Sequence, residues 1–405
     1  MNRLMNNLTK DINNKIDKSR WEKWKFSDLV ENIVEKVVPQ KSGLDRYIGL
    51  EHLDTGSLKI NRYGETSSIK GDKLKIYKND IIFAKRNAYL KRVAVADFDA
   101  VASAHSLVLR PKANVVLPEF LAFFMLSEVF WRKAIEISVG SLSPTINWRV
   151  LAKQEFLLPP KDKQRELCLL FSELTEVVEK NFALRHSLKQ FYNTILKEKV
   201  ELASSNEFEV ISLNSVIDIK HGFPFKSEFW EEDDGNLPIA VAIGNYDYEG
   251  GFRFDKTKIK CYSGPYPEDY NLFPGDLLLA MTCQTPGGEI LGIPGVISND
   301  GRQYLHNQRI GKVELKAQSK VSLEYLYLLF LTNHFRQFVF SSASGTKVLH
   351  TSPDKMLKYK FKLPDPDYQD RIVAQTTAIS NAIKESQHKL QTSQKLLHSL
   401  INGVI

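Results

Sequence analysis

The chain has 405 residues, which is more than one ordinary hydrophobic core holds, so its length predicts two or three domains. Hydrophobic residues make up 43% and charged residues 25%, a balance that excludes a disordered chain and is typical of a globular protein. The net charge of +7 favours a polyanionic partner but does not by itself establish one.

The N-terminal segment is cationic and lacks the apolar run of a signal peptide. Apolar side chains at four-residue spacing predict a short helical arm, built on Leu4, Leu8, Ile12 and Ile16. Further along, the most apolar stretch, Phe120–Trp131, is too short to cross a bilayer, so no membrane partner is expected. The cysteines are far apart and odd in number, which favours free thiols in a reducing cytoplasm.

Short apolar and β-branched runs between turn signals predict strands in the first half of the chain. These runs are "DIIFAKR" from Asp80, "RVAVADF" from Arg92 and "HSLVLRP" from His105. A helix is expected to begin at Pro118-Glu119, because proline and an acidic residue favour the first turn of a helix. This order predicts an α+β domain whose strands precede its helix.

A long helix is predicted next, because apolar residues recur at alternating three- and four-residue spacing without an internal Gly or Pro. Its length should be roughly 35 residues, or about 50 Å at 1.5 Å per residue. The predicted seam consists of Leu167, Leu170, Leu174, Val177, Asn181, Leu184 and Leu188. Lysines and arginines along the helix are assigned to a solvated or protein-docking face.

The second half of the chain repeats the first. The stretch "LPPKDKQRELCLL" from Leu158 returns as "LPDPDYQDRIVAQ" from Leu363, with proline and glutamine each displaced by 205 (364 − 159 and 369 − 164). Gly140 and Gly345 are also 205 apart, while Asp80 and Asp276 are 196 apart, as expected for loop insertions. The protein is therefore predicted to be a tandem of two diverged α+β units.

The repeat extends to the second unit's elements. The predicted strands are "GDLLLAM", "PGVISND" and "RIGKVEL", and a helix is expected after Ser322. A second long helix should bury a seam of Ile379, Ile383, Ser386, Leu390 and Leu397. The two long helices are expected to pack antiparallel about a pseudo-twofold axis, with one globular domain at each end. Asn181 and Ser386 would then lie near each other and fix the register.

Several of these motifs, in this order, resemble the specificity subunit of type I restriction-modification systems. They are the two "LP" helix entries with their glutamines, "FAKRNAYLKRVAVADFDAVASAHSLVLRP" at Phe83, "GFPFKSEFW" at Gly222, "GDLLLAM" at Gly275 and "HNQRIGKV" at His306. The resemblance covers essentially the whole chain. It implies a dumbbell in which two target recognition domains are joined by two conserved helices in a coiled coil.

The resemblance also implies a function. Each recognition domain would read one half of a bipartite target in double-stranded DNA, and the helices would dock modification (methyltransferase) subunits, two of which are expected. Restriction (nuclease-translocase) subunits could join the complex. S-adenosylmethionine would belong to the partner methyltransferase, so this prokaryotic, cytoplasmic chain is expected to need no cofactor or metal. The implied domains are a helical arm at 1–20, recognition domain 1 at 21–158, spacer helix 1 at 159–203, recognition domain 2 at 204–363 and spacer helix 2 at 364–405.

Catalytic signatures are missing from the sequence. It has no Asp/Asn-Pro-Pro-Tyr/Phe methyltransferase motif, no glycine-rich phosphate loop and no H-E-x-x-H helix. A non-catalytic subunit is therefore predicted, and an autonomous enzyme has the least support. Two alternatives stay open: the recognition subunit of a related Type II restriction-methylation system, and a coiled-coil scaffold that binds proteins without DNA specificity.

Candidate DNA contacts are the lysines and arginines suited to phosphates and the polar side chains suited to base edges. In domain 1 they are Lys85, Arg86, Asn87, Tyr89, Lys91, Arg92, Ser141, Ser143, Thr145 and Asn147. In domain 2 they are His221, Lys226, Thr282, Gln284, Thr285, Gln308, Arg309, Thr346, Lys347 and His350. A solvated hairpin would also be basic and polar, and Gln308 and Arg309 could instead brace the fold. Because the two sets differ, the domains are expected to read different half-sites.

Overall fold

The computed structural model describes residues 17–203, 208–255 and 257–405. The four apolar residues of the predicted N-terminal arm lie outside the described residues. The chain forms two compact units: unit 1 extends to Leu184 and includes Ser386–Ile405, and unit 2 is Arg185–Glu385. Each unit therefore contains a globular domain and one part of each long helix.

Unit 1 contains eleven strands and the first five helices of the described chain. Its strands are β1 Glu22–Lys25, β2 Val30–Ile33, β3 Lys36–Val37, β4 Arg46–Ile48, β5 Gly64–Glu65, β6 Lys73–Ile76, β7 Ile81–Ala84, β8 Val93–Val95, β9 Ala100–Ala102, β10 Ser106–Pro111 and β11 Glu155–Leu158. The helices are α1 Phe26–Leu29, α2 Pro118–Leu126, α3 Glu128–Glu136, α4 Trp148–Leu151 and the beginning of α5, Lys161–Ile195.

Unit 2 begins within α5, which continues as a π-helical segment, Leu196–Glu201. Its strands are β12 Glu209–Ser212, β13 Ile217–His221, β14 Trp230–Glu231, β15 Ile239–Ala240, β16 Cys261–Tyr262, β17 Asn271–Leu272, β18 Leu277–Ala280, β19 Thr282–Cys283, β20 Pro294–Val296, β21 Tyr304–Leu305, β22 Ile310–Leu315, β23 Leu349–His350 and β24 Lys360–Leu363. Its helices are α6 Leu323–Leu331, α7 Asn333–Ser342, α8 Pro353–Met356 and the beginning of α9, Pro366–Val404.

The two units share one sheet topology. Each has a four-stranded sheet, ordered β2-β10-β7-β8 in unit 1 and β13-β22-β18-β20 in unit 2. Each also has a five-stranded sheet with one parallel pair, β4 with β9 and β15 with β21. The six predicted strand runs and both predicted helix starts are confirmed, and so is the tandem α+β repeat.

β7 is apolar throughout because both of its faces are buried. Ile81 and Phe83 pack into the core beneath the helices α2 and α3. Ile82 and Ala84 point to the other face of the sheet and pack into a second core together with Ile48 of the five-stranded sheet. A strand buried on both faces has no polar side, so its sequence is a continuous apolar run.

The glutamine of the duplicated "LP" stretch has a structural role in both units. Gln164 is buried, accepts a hydrogen bond from the Leu117 amide (2.9 Å) and donates one to the Pro159 carbonyl (2.8 Å). Gln369 does the same with the Ser322 amide (2.9 Å) and the Pro364 carbonyl (2.9 Å). Each glutamine thus joins the first turn of a long helix to the residue just before a short helix, which is α2 in unit 1 and α6 in unit 2.

Within each unit the parts of the long helices contact one another. In unit 1, Leu167 and Phe171 of α5 share a core with Leu397, Leu400 and Val404 of α9. In unit 2, Ile195 and Val200 share a core with Ile372 of α9, and Ile379 packs against it. Early residues of α5 therefore share a core with late residues of α9 in unit 1, and late residues of α5 share one with early residues of α9 in unit 2.

The buried stripe of α5 agrees with the predicted seam at four of its seven residues, Leu167, Leu174, Asn181 and Leu188, and differs at the other three. It passes through Gln164, Leu167, Phe171, Leu174, Val178, Asn181, Leu188, Tyr192 and Ile195, which are buried or half-buried. The expected seam residues Leu170, Val177 and Leu184 are instead 39%, 46% and 50% exposed. In α9, Ile379 and Ile383 are half-buried, and Ser386, Leu390 and Leu397 are buried.

The predicted pairing of Asn181 with Ser386 is replaced by another. Asn181 Nδ2 donates a hydrogen bond to Ser393 Oγ at 3.4 Å. Ser393 lies two helical turns beyond Ser386, or about 10 Å at 1.5 Å per residue. Ser386 is buried, and its hydroxyl has no hydrogen-bond partner among the described residues.

No helix in the described ranges combines the length and the apolar character needed to cross a lipid bilayer.

Candidate nucleic-acid interface

In unit 1 three segments meet where β7 ends. The Lys85 amide donates to the His105 carbonyl (3.2 Å), which lies just before β10. On the other side, the Ile146 amide donates to the Lys85 carbonyl (2.8 Å), and Arg86 forms a β-bridge with Thr145. The predicted "AKRNAYLKR" and "GSLSPTINW" loops are thereby held side by side by main-chain bonds.

Gly140 and Gly345 open the second of these loops in each unit. Their φ angles are 118° and 110°, a region that side chains rarely adopt. A Cβ atom on Gly345 would lie 2.0 Å from the carbonyl oxygen of Val348. The repeated glycine is thus explained by backbone geometry.

The meeting point in unit 1 is strongly basic. Lys85 and Arg86 are half-buried, and neither forms an ion pair within the part of the chain that the structure describes. Burial lowers the pKa of Lys85. The pKa of His105 is also lowered, first by partial burial and then by Arg86, Lys85 and Lys73. Half-buried cations without a carboxylate partner are suited to an anionic ligand.

Two other predicted residues of domain 1 are held by the protein itself. Lys91 Nζ lies 2.6 Å from both carboxylate oxygens of Glu128, and this bond lowers the pKa of Glu128. Arg92 Nη1 donates to the Leu50 carbonyl (2.7 Å), and burial lowers its pKa. These contacts brace the loop and leave Lys85 and Arg86 as its available cations.

The remaining candidates of domain 1 lie around the same loops. Arg86 Nη2 donates to Ser143 Oγ (3.3 Å), and Ser141 and Tyr89 are exposed. Asn87 has a left-handed backbone (φ 56°), and its amide donates to the Pro144 carbonyl (2.8 Å). Asn147 caps α4 by accepting a bond from the Arg149 amide (2.9 Å). Asn147 is therefore committed to the fold.

Unit 2 repeats the three-segment frame after β18. The Met281 amide donates to the Arg309 carbonyl (3.1 Å), and the Thr351 amide donates to the Met281 carbonyl (2.9 Å). Thr282 pairs with His350 in the short β19–β23 ladder. By these bonds, Met281 corresponds to Lys85, Thr282 to Arg86, Arg309 to His105 and His350 to Thr145.

The frame of unit 2 surrounds a cavity of about 320 Å³. Five of the predicted DNA-binding residues line it, namely His221, Thr282, Gln308, Arg309 and His350. Met281 and Thr351 complete the lining. Residues that are widely separated in the sequence therefore converge on one concave surface in this unit.

The turn that carries Gln308 and Arg309 is firmly braced. His306 is buried, and its Nε2 lies 2.8 Å from the Ile310 carbonyl across the turn. Burial lowers the pKa of His306 to about 4, so the ring is neutral and donates this bond. The Gln308 amide donates to the Phe223 carbonyl (3.0 Å).

Gly222 allows the two segments to approach closely. A Cβ atom there would lie 2.3 Å from the carbonyl carbon of Asn307. The "GFPF" motif therefore packs directly against the turn that carries Gln308 and Arg309. Its glycine cannot be replaced without moving Asn307.

The other candidates of domain 2 lie outside this cavity. Lys226, Gln284, Thr346 and Lys347 are exposed. Thr285 Oγ1 is hydrogen-bonded to the carboxylate of Glu289. No group of three or more His, Cys, Asp or Glu side chains in the described ranges could hold a metal ion.

Four residues of these frames were not among the predicted site residues. His105 and His306 stand in the quoted motifs "HSLVLRP" and "HNQRIGKV", and Met281 and Thr351 line the cavity. The position of His105 before β10 matches that of Arg309 before β22, so alignment of the two strands would have identified it. Thr351 follows from the β19–β23 pairing, which the sequence alone does not reveal.

Comparison with known proteins gives a consistent result. The family model described as "Type I restriction modification DNA specificity domain" matches twice, at residues 18–190 and 205–392. The type I restriction enzyme MjaVIII specificity subunit of Methanocaldococcus jannaschii is 21% identical, over 95% of this chain and 93% of that protein. The HindI specificity subunit of Haemophilus influenzae is 25% identical, over 44% of this chain and 40% of that protein.

A solved structure gives the same fold. The S subunit of a type I restriction-modification system from M. genitalium has a TM-score of 0.54 and 16% identity, with 95% of this chain and 97% of that chain covered.

Proposed function

The chain belongs to the type I restriction-modification DNA specificity family, and from this premise we propose that each unit reads one half of a bipartite DNA target. The chain itself would carry out no catalysis. Modification subunits that bind S-adenosylmethionine would methylate the DNA selected here, and two are expected because the docking elements are duplicated.

One observation carries this proposal. The same frame of three main-chain-bonded segments occurs in both units, yet the side chains that it carries differ. Unit 1 presents Lys85 and Arg86, while unit 2 presents Gln308 and Arg309. A scaffold that binds only proteins has no need for two such polar surfaces. Cations position a protein on phosphates, and polar side chains distinguish base edges.

The long helices would hold the two units at a fixed distance. We propose that α5 and α9 pair antiparallel as a coiled coil, so that the units form a pseudo-twofold dumbbell. The contacts of Leu167 with α9 in unit 1 and of Ile195 with α9 in unit 2 support this arrangement. The recognition domains would then reach one duplex about one helical turn apart, roughly 34 Å.

An exposed apolar stripe on α5 supports the docking of a protein partner. Leu170, Val177 and Leu184 recur every seven residues and are at least 39% exposed. This stripe lies beside the buried one, so a partner helix packed there would extend the helical bundle. We propose it as the docking face for a modification subunit.

Sequencing of methylated adenines in cells, with and without this gene and with its partner methyltransferase retained, tests the proposal. One bipartite motif should disappear on deletion. Exchange of residues Phe26 to Leu158 for the equivalent domain of another specificity subunit should change one half of the motif and preserve the other.

Purified complexes separate this proposal from the scaffold alternative. Specific duplexes should bind more tightly than random ones, with an affinity that falls steeply as salt rises, because phosphate contacts release counterions. Equal binding of all duplexes by the assembled complex would favour the scaffold. Methylation or cleavage by the isolated chain would contradict a non-catalytic role.

A further inference from the structure

The cavity of unit 2 is lined by hydrogen-bond donors and by no carboxylate. Arg309 contributes a guanidinium group, which has five donors and no acceptor, and Gln308 contributes an amide. A ligand group that pairs with the Arg309 guanidinium must present hydrogen-bond acceptors.

Arg309 and Gln308 are exposed, and their side chains have no hydrogen-bond or ion-pair partner within the described residues. Their backbone is nevertheless fixed. The Arg309 carbonyl accepts a hydrogen bond from the Met281 main-chain amide (3.1 Å), and the Gln308 main-chain amide donates one to the Phe223 carbonyl (3.0 Å). The His306 ring is bonded to the Ile310 carbonyl across the turn. Free side chains on a fixed turn lose little backbone entropy when they bind.

The opposite wall offers one unpaired hydroxyl, because Thr351 Oγ1 is buried and has no hydrogen-bond partner among the described residues. Thr282 Oγ1 and His350 Nδ1 lie 3.2 Å apart and are hydrogen-bonded to each other, and Met281 is 2% exposed. Arg309 is therefore the strongest free donor at the cavity. Its fork of donors matches the O6 and N7 acceptors of guanine in the major groove, the commonest specific contact of arginine with DNA.

We propose that Arg309 selects a guanine in the half-site read by unit 2, with Gln308 contacting the adjacent base pair. This inference rests on the proposed function and deepens it by naming a base and the side chain that selects it. In unit 1, His105 occupies the position of Arg309, so the same guanine contact is not repeated there.

The test uses the full chain assembled with its methyltransferase subunits. Selection of bound duplexes from a random pool gives the motif of the wild type. Exchange of residues Phe26 to Leu158 identifies which half belongs to unit 1, and the other half is then assigned to unit 2. The selection is repeated with Arg309→Ala, Arg309→Lys and Gln308→Ala.

We expect a guanine in the unit 2 half, and we expect Arg309→Ala to abolish the preference for it at that one position. Affinity for the intact site should fall roughly 10- to 100-fold. Arg309→Lys keeps the charge but loses the planar fork, so it should also relax that position. Gln308→Ala should relax only the neighbouring position.

Lys360→Ala is the matched control, because Lys360 is an exposed cation of the same unit outside the cavity lining. It should leave the motif unchanged. Equal thermal unfolding midpoints for all variants would exclude loss of folding as the cause.

Three outcomes would overturn the inference while the proposed function stands: a unit 2 half without guanine, a guanine still required by Arg309→Ala, or equal weakening of all duplexes with a shallower salt dependence. The last would identify a phosphate contact. A wild-type complex that selects no bipartite motif would instead overturn the proposed function, and this inference with it.

Discussion

In unit 1 the two cations Lys85 and Arg86 follow β7, whereas the corresponding positions after β18 in unit 2 hold Met281 and Thr282. Unit 2 carries its cation, Arg309, before β22, where unit 1 has His105. The frames themselves are joined by main-chain bonds that do not depend on the side chains. A binding surface can therefore diverge while its support stays the same.

The largest expected effect concerns two repeat-related aspartates, one just before β7 in unit 1 and one just before β18 in unit 2. Asp80 is buried, accepts a bond from the Tyr77 amide (2.9 Å) and forms two bonds with Arg110 (2.8 and 2.9 Å). Asp276 accepts from the Phe273 amide (2.8 Å) but forms one bond with Lys312 (2.8 Å) and is 19% exposed. Asp80 therefore has the more buried and better bonded carboxylate.

We expect Asp80→Asn to lower the free energy of unfolding by about 3 kcal/mol, because Arg110 loses its bidentate partner. Asp276→Asn should cost about 1 to 2 kcal/mol. Urea unfolding of the full chain, with hydrogen exchange to locate the affected unit, measures both effects. Equal losses in the two units would show that burial of the carboxylate does not set the cost.

The next largest effect is the loss of stability of unit 2 at acidic pH. The folded pKa of His306 is about 4, below the ordinary value of about 6.5, so the folded state binds fewer protons in this range. The free energy of unfolding is therefore not reduced by His306 above about pH 6.5, and it decreases as the pH falls from 6.5 toward 4. At pH 5 the loss in unit 2 should be about 2 kcal/mol relative to pH 7.

His306→Gln removes the titrating group and should weaken the pH dependence between pH 7 and 5. Urea midpoints at the two pH values, for wild type and variant, provide the measurement. In unit 1, the pKa of His105 is also lowered, but this ring is exposed and should contribute less. An unchanged pH dependence in His306→Gln would contradict the assignment to this ring.

A smaller effect is expected from the cations of unit 1. Lys85→Ala with Arg86→Ala should weaken the complex for all duplexes by roughly 10-fold, the loss of one charge-assisted hydrogen bond or slightly more. The slope of log affinity against log salt should become shallower by about 1.8. Thr282→Ala, at the position matching Arg86, changes no charge and should leave the slope unchanged. Titration at several salt concentrations separates these results.

The sequence predicted the frame better than the contacts on it. Strand runs and repeat offsets located β7, β18 and the paired loops, because burial on both faces leaves a clear apolar pattern. The seam of α5 was predicted only in part, because two neighbouring stripes have heptad spacing. Leu167 and Leu174 lie in the buried stripe, whereas Leu170 and Leu184 belong to the exposed one. The inner stripe also includes Gln164, which is buried because its side chain forms two hydrogen bonds that hydrophobicity does not reveal.

The smallest effect concerns the repeat-related positions Asn181 and Ser386. Asn181 is bonded to Ser393, whereas the buried hydroxyl of Ser386 has no partner among the described residues. Ser386→Ala removes an unsatisfied polar group and should raise stability by up to about 1 kcal/mol. Asn181→Ala should instead lower it by about 0.5 to 1 kcal/mol.

Ser399→Ala, at a half-buried site of the same helix, measures the gain in helix propensity alone. Thermal unfolding of the three variants compares the effects. Opposite signs at positions 181 and 386 would mean that the Asn181 side chain is hydrogen-bonded and the Ser386 hydroxyl is not. If both substitutions destabilise, the Ser386 hydroxyl forms a polar contact that alanine removes, and the two repeat positions would then serve the same purpose.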